Sequence, residues 1–271
     1  MLGQPLVIRQ GKLVGVPFEE SASYGGALPT PTAIIIHFTG GATAQSSAEW
    51  FQNPAAKASA HVIVDRDGSI IQCVPFTRVA FHAGRSSWKG RVGANNFTIG
   101  IEIANWGILS SRADGMYYSS SGAAVHPNRV VLAEHKNENV RRAWEAYTPE
   151  QVRAVGDLIT ALKASYPTLV EVIGHEDVAP SRKTDPGPAA PMRVWQSKLN
   201  SNRDSDEADY WQVDAPGGVN LRTGPATTFK VLRVLPDKLK VVCLDRKNSW
   251  FKVELNSNES GWVHSNYLKD I

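Results

Sequence analysis

Short β-branched runs and amphipathic stretches alternate along the first 200 positions of the chain. Residues 33–37 carry a run of isoleucines bounded by Pro31 and Gly40, which predicts a buried strand. Residues 99–104 predict a further strand, and the runs that flank Asp67-Gly68 predict a hairpin with its turn at that dipeptide. Strands interspersed with helices predict an α/β fold, a mixed sheet flanked by helices.

Two capping boxes predict where helices begin. A Ser-x-x-Glu box at residues 46–49 predicts a helix that ends near Pro54. A Thr-Pro-x-Gln box at residues 148–151 is followed by apolar residues at helical spacing up to Pro167, which predicts a second helix. Residues 110–125 are rich in serine, glycine and alanine and show no clear period. They predict a long loop that either lies near a functional site or is partly mobile.

The last third of the chain has a different pattern. Residues 217–268 contain short β-like segments separated by turn residues, which predicts a small all-β barrel. Residues 201–209 have no aliphatic side chain larger than alanine and carry four acids against one arginine, which predicts a solvated linker. The predicted organisation is a domain at residues 1–200, a linker at 201–209 and a second domain at 210–271.

Composition narrows the class of protein. The chain has 271 residues, 42% of them hydrophobic, and a net charge of +3, which is ordinary for a globular protein and gives no case for nucleic-acid binding. Cys73 and Cys243 do not form a disulfide framework and are interpreted as buried free thiols. No segment has the length of a transmembrane helix, and the first residues lack the pattern of a signal peptide.

Two segments combine histidine with positions suited to a ligand. His37 stands at the carboxyl end of an apolar run, where ligands of α/β proteins gather, although taken alone it favours a hydrogen-bonded structural histidine. Residues 174–188 form a loop rich in glycine and proline that offers His175 and several carboxylates. If the chain is extended at Lys183 and Asp185, both side chains point to one side. The alternative is a surface loop of salt bridges.

Two further segments add polar groups. Glu102 lies between Gly100 and Ala104 on the face of a strand opposite the isoleucines, so it faces either water or a cleft, and the pattern favours neither. Residues 80–88 form a polar and aromatic loop that contains His82 and Trp88. Such a loop either lines a sugar or peptide groove or serves only the fold.

These segments together carry a family resemblance. Residues from about 30 to 196 resemble the zinc-dependent N-acetylmuramoyl-L-alanine amidases of the AmpD and phage-lysozyme type, whose fold is shared with peptidoglycan-recognition proteins. The matching segments are, in the family's order, IIIHFTGG, SAHVIVDRDGSIIQCVP, AFHAGRSSW, NNFTIGIEIAN, YTPEQ and VIGHEDVAPSRKTDPGP. The resemblance implies hydrolysis of the amide bond between N-acetylmuramic acid and L-alanine by zinc-activated water.

The same resemblance implies roles for individual residues. It makes His37, His175 and Asp185 the ligands of Zn²⁺, which leaves one tetrahedral position for water, as a catalytic site requires. It makes Glu102 and Lys183 the catalytic pair. Of the candidate substrate-binding residues, His61 and His82 match positions that line the groove in relatives, and Trp88 belongs to the aromatic loop.

The tail resembles a second family. The segments VNLRTGP and GWVHSNYL are similar to those of bacterial SH3-like domains, which usually attach wall hydrolases to peptidoglycan. A purely structural appendage is the alternative.

Two other functions share this fold. One is a non-catalytic peptidoglycan receptor, and the other is a cytosolic amidase that recycles soluble anhydromuropeptides. The complete ligand set favours catalysis, and the SH3-like tail favours action on the wall. We therefore expect a monomeric enzyme of bacterial or phage origin, such as an endolysin, that acts on peptidoglycan or muropeptides in the periplasm or outside the cell. It would reach the wall by phage lysis or by a non-classical route.

Overall fold

The computed structural model describes residues 5–199, 210–255 and 259–271. The chain divides into two compact units, Met1–Asn200 and Ser201–Ile271. The linker predicted at residues 201–209 lies outside the described residues. Within the described parts, no helix is both long and apolar enough to cross a bilayer.

A five-stranded sheet forms the centre of the first unit. In chain order, its strands are β1 (Ala33–Phe38), β2 (Val62–Val64), β3 (Ile70–Gln72), β4 (Thr98–Ile103) and β5 (Glu171–Gly174). They pair in the order β5-β1-β4-β2-β3, with all neighbours parallel except β2 and β3. Ile34, Ile35 and Ile36 of β1 are fully buried, as the apolar run predicts, because both faces of the sheet are covered. The predicted mixed sheet is confirmed.

Helix α2 (Pro149–Ser165) is the longest helix described and begins where the capping box predicts. The Thr148 hydroxyl accepts a hydrogen bond from the backbone N–H of Gln151, and the Gln151 side chain accepts one from the N–H of Thr148. The helix buries Val152, Val155 and other apolar residues. The helices are α1 (Ala44–Gln52), α2 (Pro149–Ser165), α3 (His175–Val178) and α4 (Met192–Ser197), with 3₁₀ turns at Pro54–Ala56, Ala94–Asn96 and Pro127–Arg129.

The predicted start of α1 is wrong by three residues. Thr43 is the N-cap, and its side chain accepts from the N–H of Ser46 at 3.1 Å. Ser46 therefore occupies the third helical position, and Glu49 lies well inside the helix. The sequence contains two overlapping boxes, and a serine satisfies the third position of one as well as the first position of the other.

The prediction of a loop at residues 110–125 is also wrong, because parts of this segment belong to a second sheet, which is antiparallel. Leu109, Val125 and Ala143 are buried together and hold it in place. Strands of two to five residues are too short to show a period in the sequence. In spatial order, the strands are Ala124–Val125, Tyr117–Tyr118, Ile108–Ser111, Arg141–Glu145 and Val130–Glu134.

Three two-stranded sheets complete the first unit. They pair Ile8–Arg9 with Lys12–Leu13, Tyr24–Ala27 with Arg78–Ala80, and Ser87–Trp88 with Arg91–Val92. Cys73 is buried and free, as predicted, whereas Cys243 in the second unit is only half-buried.

The second unit is a small all-β fold, as predicted. Seven strands form one sheet around a core that includes Val213, Leu221, Val253 and Val263. A 3₁₀ turn at Ser265–Tyr267 precedes the last strand. The strands are Tyr210–Val213, Val219–Arg222, Val231–Leu235, Lys240–Lys247, Trp250–Glu254, Ser260–His264 and Leu268–Asp270.

Candidate metal and catalytic site

Three side chains predicted as ligands meet at the carboxyl edge of the central sheet. His37 is the fifth residue of β1, and Gly174 of β5 pairs with Ile36, so His175 at the start of α3 lies next to His37. Asp185 comes from the loop after α3, and its carbonyl accepts a hydrogen bond from the N–H of Glu176 at 2.9 Å. All three side chains are buried. The parallel strands bring distant segments to one edge.

The three contacts among these side chains cannot all be hydrogen bonds at once. Nδ1 of His37 is 2.9 Å from Nδ1 of His175, and Oδ2 of Asp185 is 2.9 Å from each nitrogen. Three mutual hydrogen bonds would need a proton on every edge of the triangle, and two neutral imidazoles and a carboxylate cannot supply them. A cation at the centre resolves the conflict, because it accepts all three lone pairs.

The far side of the His175 ring indicates which of its nitrogens carries the proton. His175 Nε2 lies 3.1 Å from the carbonyl of Ala83, which can only accept, so that nitrogen carries the proton. Burial lowers the pKa of His37 to about 4, which keeps it neutral near pH 7. A neutral His175 with its proton on Nε2 offers the lone pair of its Nδ1 toward the centre. Two imidazole nitrogens and a carboxylate oxygen are the donor set of catalytic zinc sites, so the residues fit Zn²⁺.

Glu102 lies beside this triangle. It pairs in register with His37 on the neighbouring parallel strand, which places both side chains on one face of the sheet. Its Oε2 is buried and has no hydrogen-bond partner among the described residues. Burial, together with the Asp185 carboxylate, raises the pKa of Glu102 to about 8. A carboxyl group of this kind is suited to taking and returning a proton near neutral pH.

Lys183 lies two residues before Asp185, where its positive charge reaches the site. Its backbone N–H donates to the carbonyl of Ala179 at 3.0 Å. Residues 183–185 form no strand. The ammonium lowers the pKa of both Glu102 and His37. At Glu102 the desolvation by burial acts in the opposite direction and outweighs it, whereas at His37 desolvation lowers the pKa as well. It forms no ion pair within residues 5–199, so its donors are available to a ligand.

His61, predicted to line a substrate groove, lies in the core of the first unit. The residue is fully buried. Its Nδ1 accepts from the N–H of Gly100 at 3.0 Å, and its Nε2 donates to the carbonyl of Arg78 at 2.9 Å. Both ring nitrogens therefore serve the backbone, and His61 is a core histidine.

His82, predicted to line the groove, lies against the candidate ligand His37. Its ring is buried, and its two nitrogens contact His37 and Thr98. Burial holds the pKa of His82 well below its usual range, so the ring is neutral. Trp88 is half-buried, and its indole N–H donates to Glu171 at 2.8 Å. A substrate contact of Trp88 stays a prediction.

Two supports of the site were not predicted from the sequence. The Asn95 side chain accepts hydrogen bonds from the backbone N–H groups of His82 and Ala83, at 3.2 and 2.7 Å. Glu176, next to His175, is buried and pairs at 2.6 Å with His135 and at 2.8 Å with Lys136, two residues that follow the strand Val130–Glu134. No spacing rule links such distant partners. The sequence offered two local signals for these supports. Asn95 lies in a turn preceded by a glycine, and Glu176 is an acid next to a candidate ligand histidine.

Two parts of the chain match known families. Residues 27–188 match the family described as N-acetylmuramoyl-L-alanine amidase. Residues 217–269 match the bacterial SH3 domain. The first match contains every residue assembled at the site.

Individual proteins are similar as well. The 1,6-anhydro-N-acetylmuramyl-L-alanine amidase AmpD of Escherichia coli K12 is 31% identical over 216 residues, an alignment that covers 71% of this chain and 98% of AmpD. The N-acetylmuramoyl-L-alanine amidase AmiD of the same organism is 29% identical over 194 residues, covering 68% of this chain and 59% of AmiD. The chain thus spans less than two thirds of AmiD.

A solved structure has the same architecture. The crystal structure of a selenomethionine AmpD derivative aligns with a TM-score of 0.53 at 25% identity, over 72% of this chain and 99% of that one. This likeness supports the fold assigned to the first unit.

Proposed function

The chain belongs to the N-acetylmuramoyl-L-alanine amidase family, and from this premise we propose that it hydrolyses the amide bond between the lactyl group of N-acetylmuramic acid and the L-alanine of a peptidoglycan stem peptide. The observation that carries the proposal is a buried three-donor triangle beside Glu102, whose Oε2 has no hydrogen-bond partner in the described part of the chain. A receptor that only binds wall fragments needs neither feature.

We assign Zn²⁺ to His37, His175 and Asp185. When bound, zinc lowers the pKa of water to roughly 7 and polarises a carbonyl as a Lewis acid. The two histidines and the carboxylate come from three separate segments, so they hold the ion only in the folded chain.

Glu102 and Lys183 carry out the remaining chemistry in this proposal. Glu102 takes a proton from the attacking water and returns it to the amine of L-alanine as it departs, because an amide nitrogen is a poor leaving group until it is protonated. The Lys183 ammonium donates to the oxygen that becomes negative in the tetrahedral intermediate. Its uncommitted donors and its electrostatic influence on Glu102 support this role.

Digestion of purified sacculi tests the bond that is cleaved. We expect mass spectrometry to find stem peptides with new L-alanine amino termini. We expect a chelator to stop their release, and added Zn²⁺ to restore it, because the donor set is that of a catalytic zinc site. New reducing sugar ends, or full activity in the chelator, would contradict the proposed reaction.

We further propose that the second unit binds the cell wall. A concave pocket of about 400 Å³ on this unit is lined by polar and aromatic side chains, and none of the described lining residues is acidic. Such a pocket suits a carboxylate-bearing stem peptide, since amide and guanidinium groups donate and the aromatic rings supply contact area. The side chains concerned are Asn220, Arg222, Trp250, His264, Asn266 and Tyr267.

Tyr267 provides the test of this pocket. Replacing it by alanine in the full chain is expected to weaken binding to sacculi about tenfold, because truncating an anchoring aromatic residue costs more than 1 kcal/mol. Phe229→Ala is the matched control, since Phe229 is 45% exposed against 48% for Tyr267 and lies outside the pocket lining. Equal binding by both variants in a pull-down at several salt concentrations would exclude the pocket.

Similarity to AmpD along 98% of its length favours a second candidate substrate, the soluble anhydromuropeptide. The bond and the chemistry are the same, and only the form of the substrate differs. The wall-binding unit favours the polymer, since a soluble fragment needs no anchor, and we therefore place the activity at the cell wall. Values of kcat/KM on sacculi and on anhydromuropeptides decide between the two.

A further inference from the structure

One buried histidine next to the metal ligands has no role in the mechanism above. Nε2 of His37, the nitrogen that faces away from the triangle, is 2.9 Å from Nδ1 of His82. Nε2 of His82 is 3.3 Å from the hydroxyl of Thr98, and that hydroxyl is 2.8 Å from the carbonyl of Ala94. A chain of contacts thus leads from a metal ligand to a fixed backbone acceptor.

The distances indicate which group donates and which accepts in each of these contacts. Thr98 has one hydroxyl proton, and the shorter contact, to the Ala94 carbonyl, takes it. The Thr98 oxygen then accepts from Nε2–H of His82, which leaves a lone pair on His82 Nδ1. That lone pair accepts the Nε2 proton of His37. His37 is thereby held in the tautomer whose Nδ1 lone pair points at the centre of the triangle.

Gly100 provides the space for His82. A Cβ added to Gly100 would lie 2.5 Å from Cγ of His82, closer than non-bonded carbon atoms approach. The ring therefore lies directly on strand β4, and only glycine at position 100 lets it reach His37. This need for space explains why glycine occupies position 100, although a glycine in the middle of a strand normally weakens the fold.

The residue after His82 supports the other imidazole ligand. The Ala83 carbonyl accepts the Nε2 proton of His175 at 3.1 Å and a hydrogen bond from Arg182 at 2.7 Å. Asn95 fixes both residues through their backbone N–H groups. Consecutive residues thus orient the two histidine ligands, one by its side chain and one by its backbone.

We propose that His82 is a positioning residue of the metal site, which accepts the Nε2 proton of His37 and so fixes the tautomer and ring orientation in which His37 binds the ion. The inference rests on the proposed zinc site. Loss of such an outer partner typically weakens metal binding by about 10–100-fold. His82 is a neutral acceptor, so it orients the ligand without adding a negative charge beside the ion.

Zinc affinity of the metal-free full chain, measured in competition with a chromophoric chelator, tests the proposal. His82→Leu keeps the bulk and removes the acceptor, and we expect its Kd for zinc to rise about 10–100-fold. His82→Asn places an amide oxygen near the position of Nδ1 and is expected to recover most of that loss. Gly100→Ala displaces the ring and is expected to weaken binding like His82→Leu. The Co²⁺ absorption spectrum should change in the two weak variants and not in His82→Asn.

His61→Leu is the matched control, because His61 is an equally buried imidazole, 5.9 Å from His82 between ring centres, with both nitrogens on the backbone. We expect it to lower the melting temperature and to keep the native Kd for zinc. Native affinity in His82→Leu, equal losses in His82→Leu and His82→Asn, or an equal loss in His61→Leu overturns the proposal. Failure of the unaltered chain to bind zinc would instead remove the proposed function.

Discussion

Replacement of Glu102 by glutamine is expected to lower kcat by about 100- to 10,000-fold, the usual range for loss of a general acid–base group, while zinc remains bound. Glutamine keeps the shape of the side chain and cannot exchange a proton. Glu102 also contributes no ligand atom to the triangle of His37, His175 and Asp185, so its substitution leaves all ligand atoms in place. The measurement is kcat on a defined muropeptide together with elemental analysis of the purified variant.

A control separates this effect from a general change of charge. Glu49→Gln alters an exposed glutamate of the same unit, on α1, and is expected to keep native activity and zinc content. A Glu102→Gln enzyme with native turnover would remove Glu102 from the mechanism. Loss of zinc from the same variant would instead reassign it to the metal site.

Stability provides a second measurement on this variant. The pKa of Glu102 in the folded chain is raised to about 8, above the value of about 4.5 for an exposed glutamate. In that interval the folded state binds more protons than the unfolded state, so the metal-free native chain loses stability as pH rises through it. Glutamine carries no charge. The melting temperature of metal-free Glu102→Gln is therefore expected to exceed that of the native chain, by a margin that grows from pH 4.5 to pH 8.

This gain would identify Glu102 as a residue kept for chemistry. A buried carboxylate oxygen without a partner costs stability, and the fold contains buried carboxylates that avoid this cost. Glu145, for example, is buried and receives hydrogen bonds from Arg66, Arg129 and the backbone N–H of Trp106. The contrast between Glu102 and Glu145 is the kind of difference that only three-dimensional partners can reveal.

Local signals in the sequence predicted the elements whose causes are local. The isoleucine run of β1, the Asp67-Gly68 turn, with Gly68 at a φ of +82°, and the Thr148 cap each depend on a few adjacent residues. The segment at residues 110–125 was missed because its strands are defined by partners such as Ala143, not by their own period.

The site shows the same limit at the level of single residues. His37, His61 and His82 all follow or begin short apolar segments, and nothing in their spacing separates a ligand from a core histidine or a positioning residue. The resemblance to a family assigned the three ligand positions, and the structure brings those three side chains together. What distinguishes the other two is the atom that each ring nitrogen meets, a carbonyl for His61 and another imidazole for His82. Such contacts depend on packing between distant segments.

Asp185→Ala is expected to lose both zinc and activity. The substitution removes one of three protein ligand atoms, so we expect a loss of zinc affinity larger than the 10–100-fold typical of losing an outer partner. Elemental analysis should find about one zinc per native chain and almost none in the variant. The conservative change Asp185→Asn keeps the shape and one oxygen, and is expected to bind zinc more weakly than the native chain and more tightly than the alanine variant.

The variants Glu102→Gln and Asp185→Ala are informative together because they are expected to differ in zinc content. Glu102→Gln should be inactive with zinc bound, whereas Asp185→Ala should be inactive without it, and excess Zn²⁺ should restore part of the activity only in Asp185→Asn. A hydrogen-bonded triangle with no metal would produce a different result. In that case removing Asp185 would cost stability and leave zinc content unchanged, since the native chain would hold none. Because Oδ2 of Asp185 lies 2.9 Å from both ligand nitrogens, the outcome of this one substitution decides whether the triangle is a metal site or a polar contact of the fold.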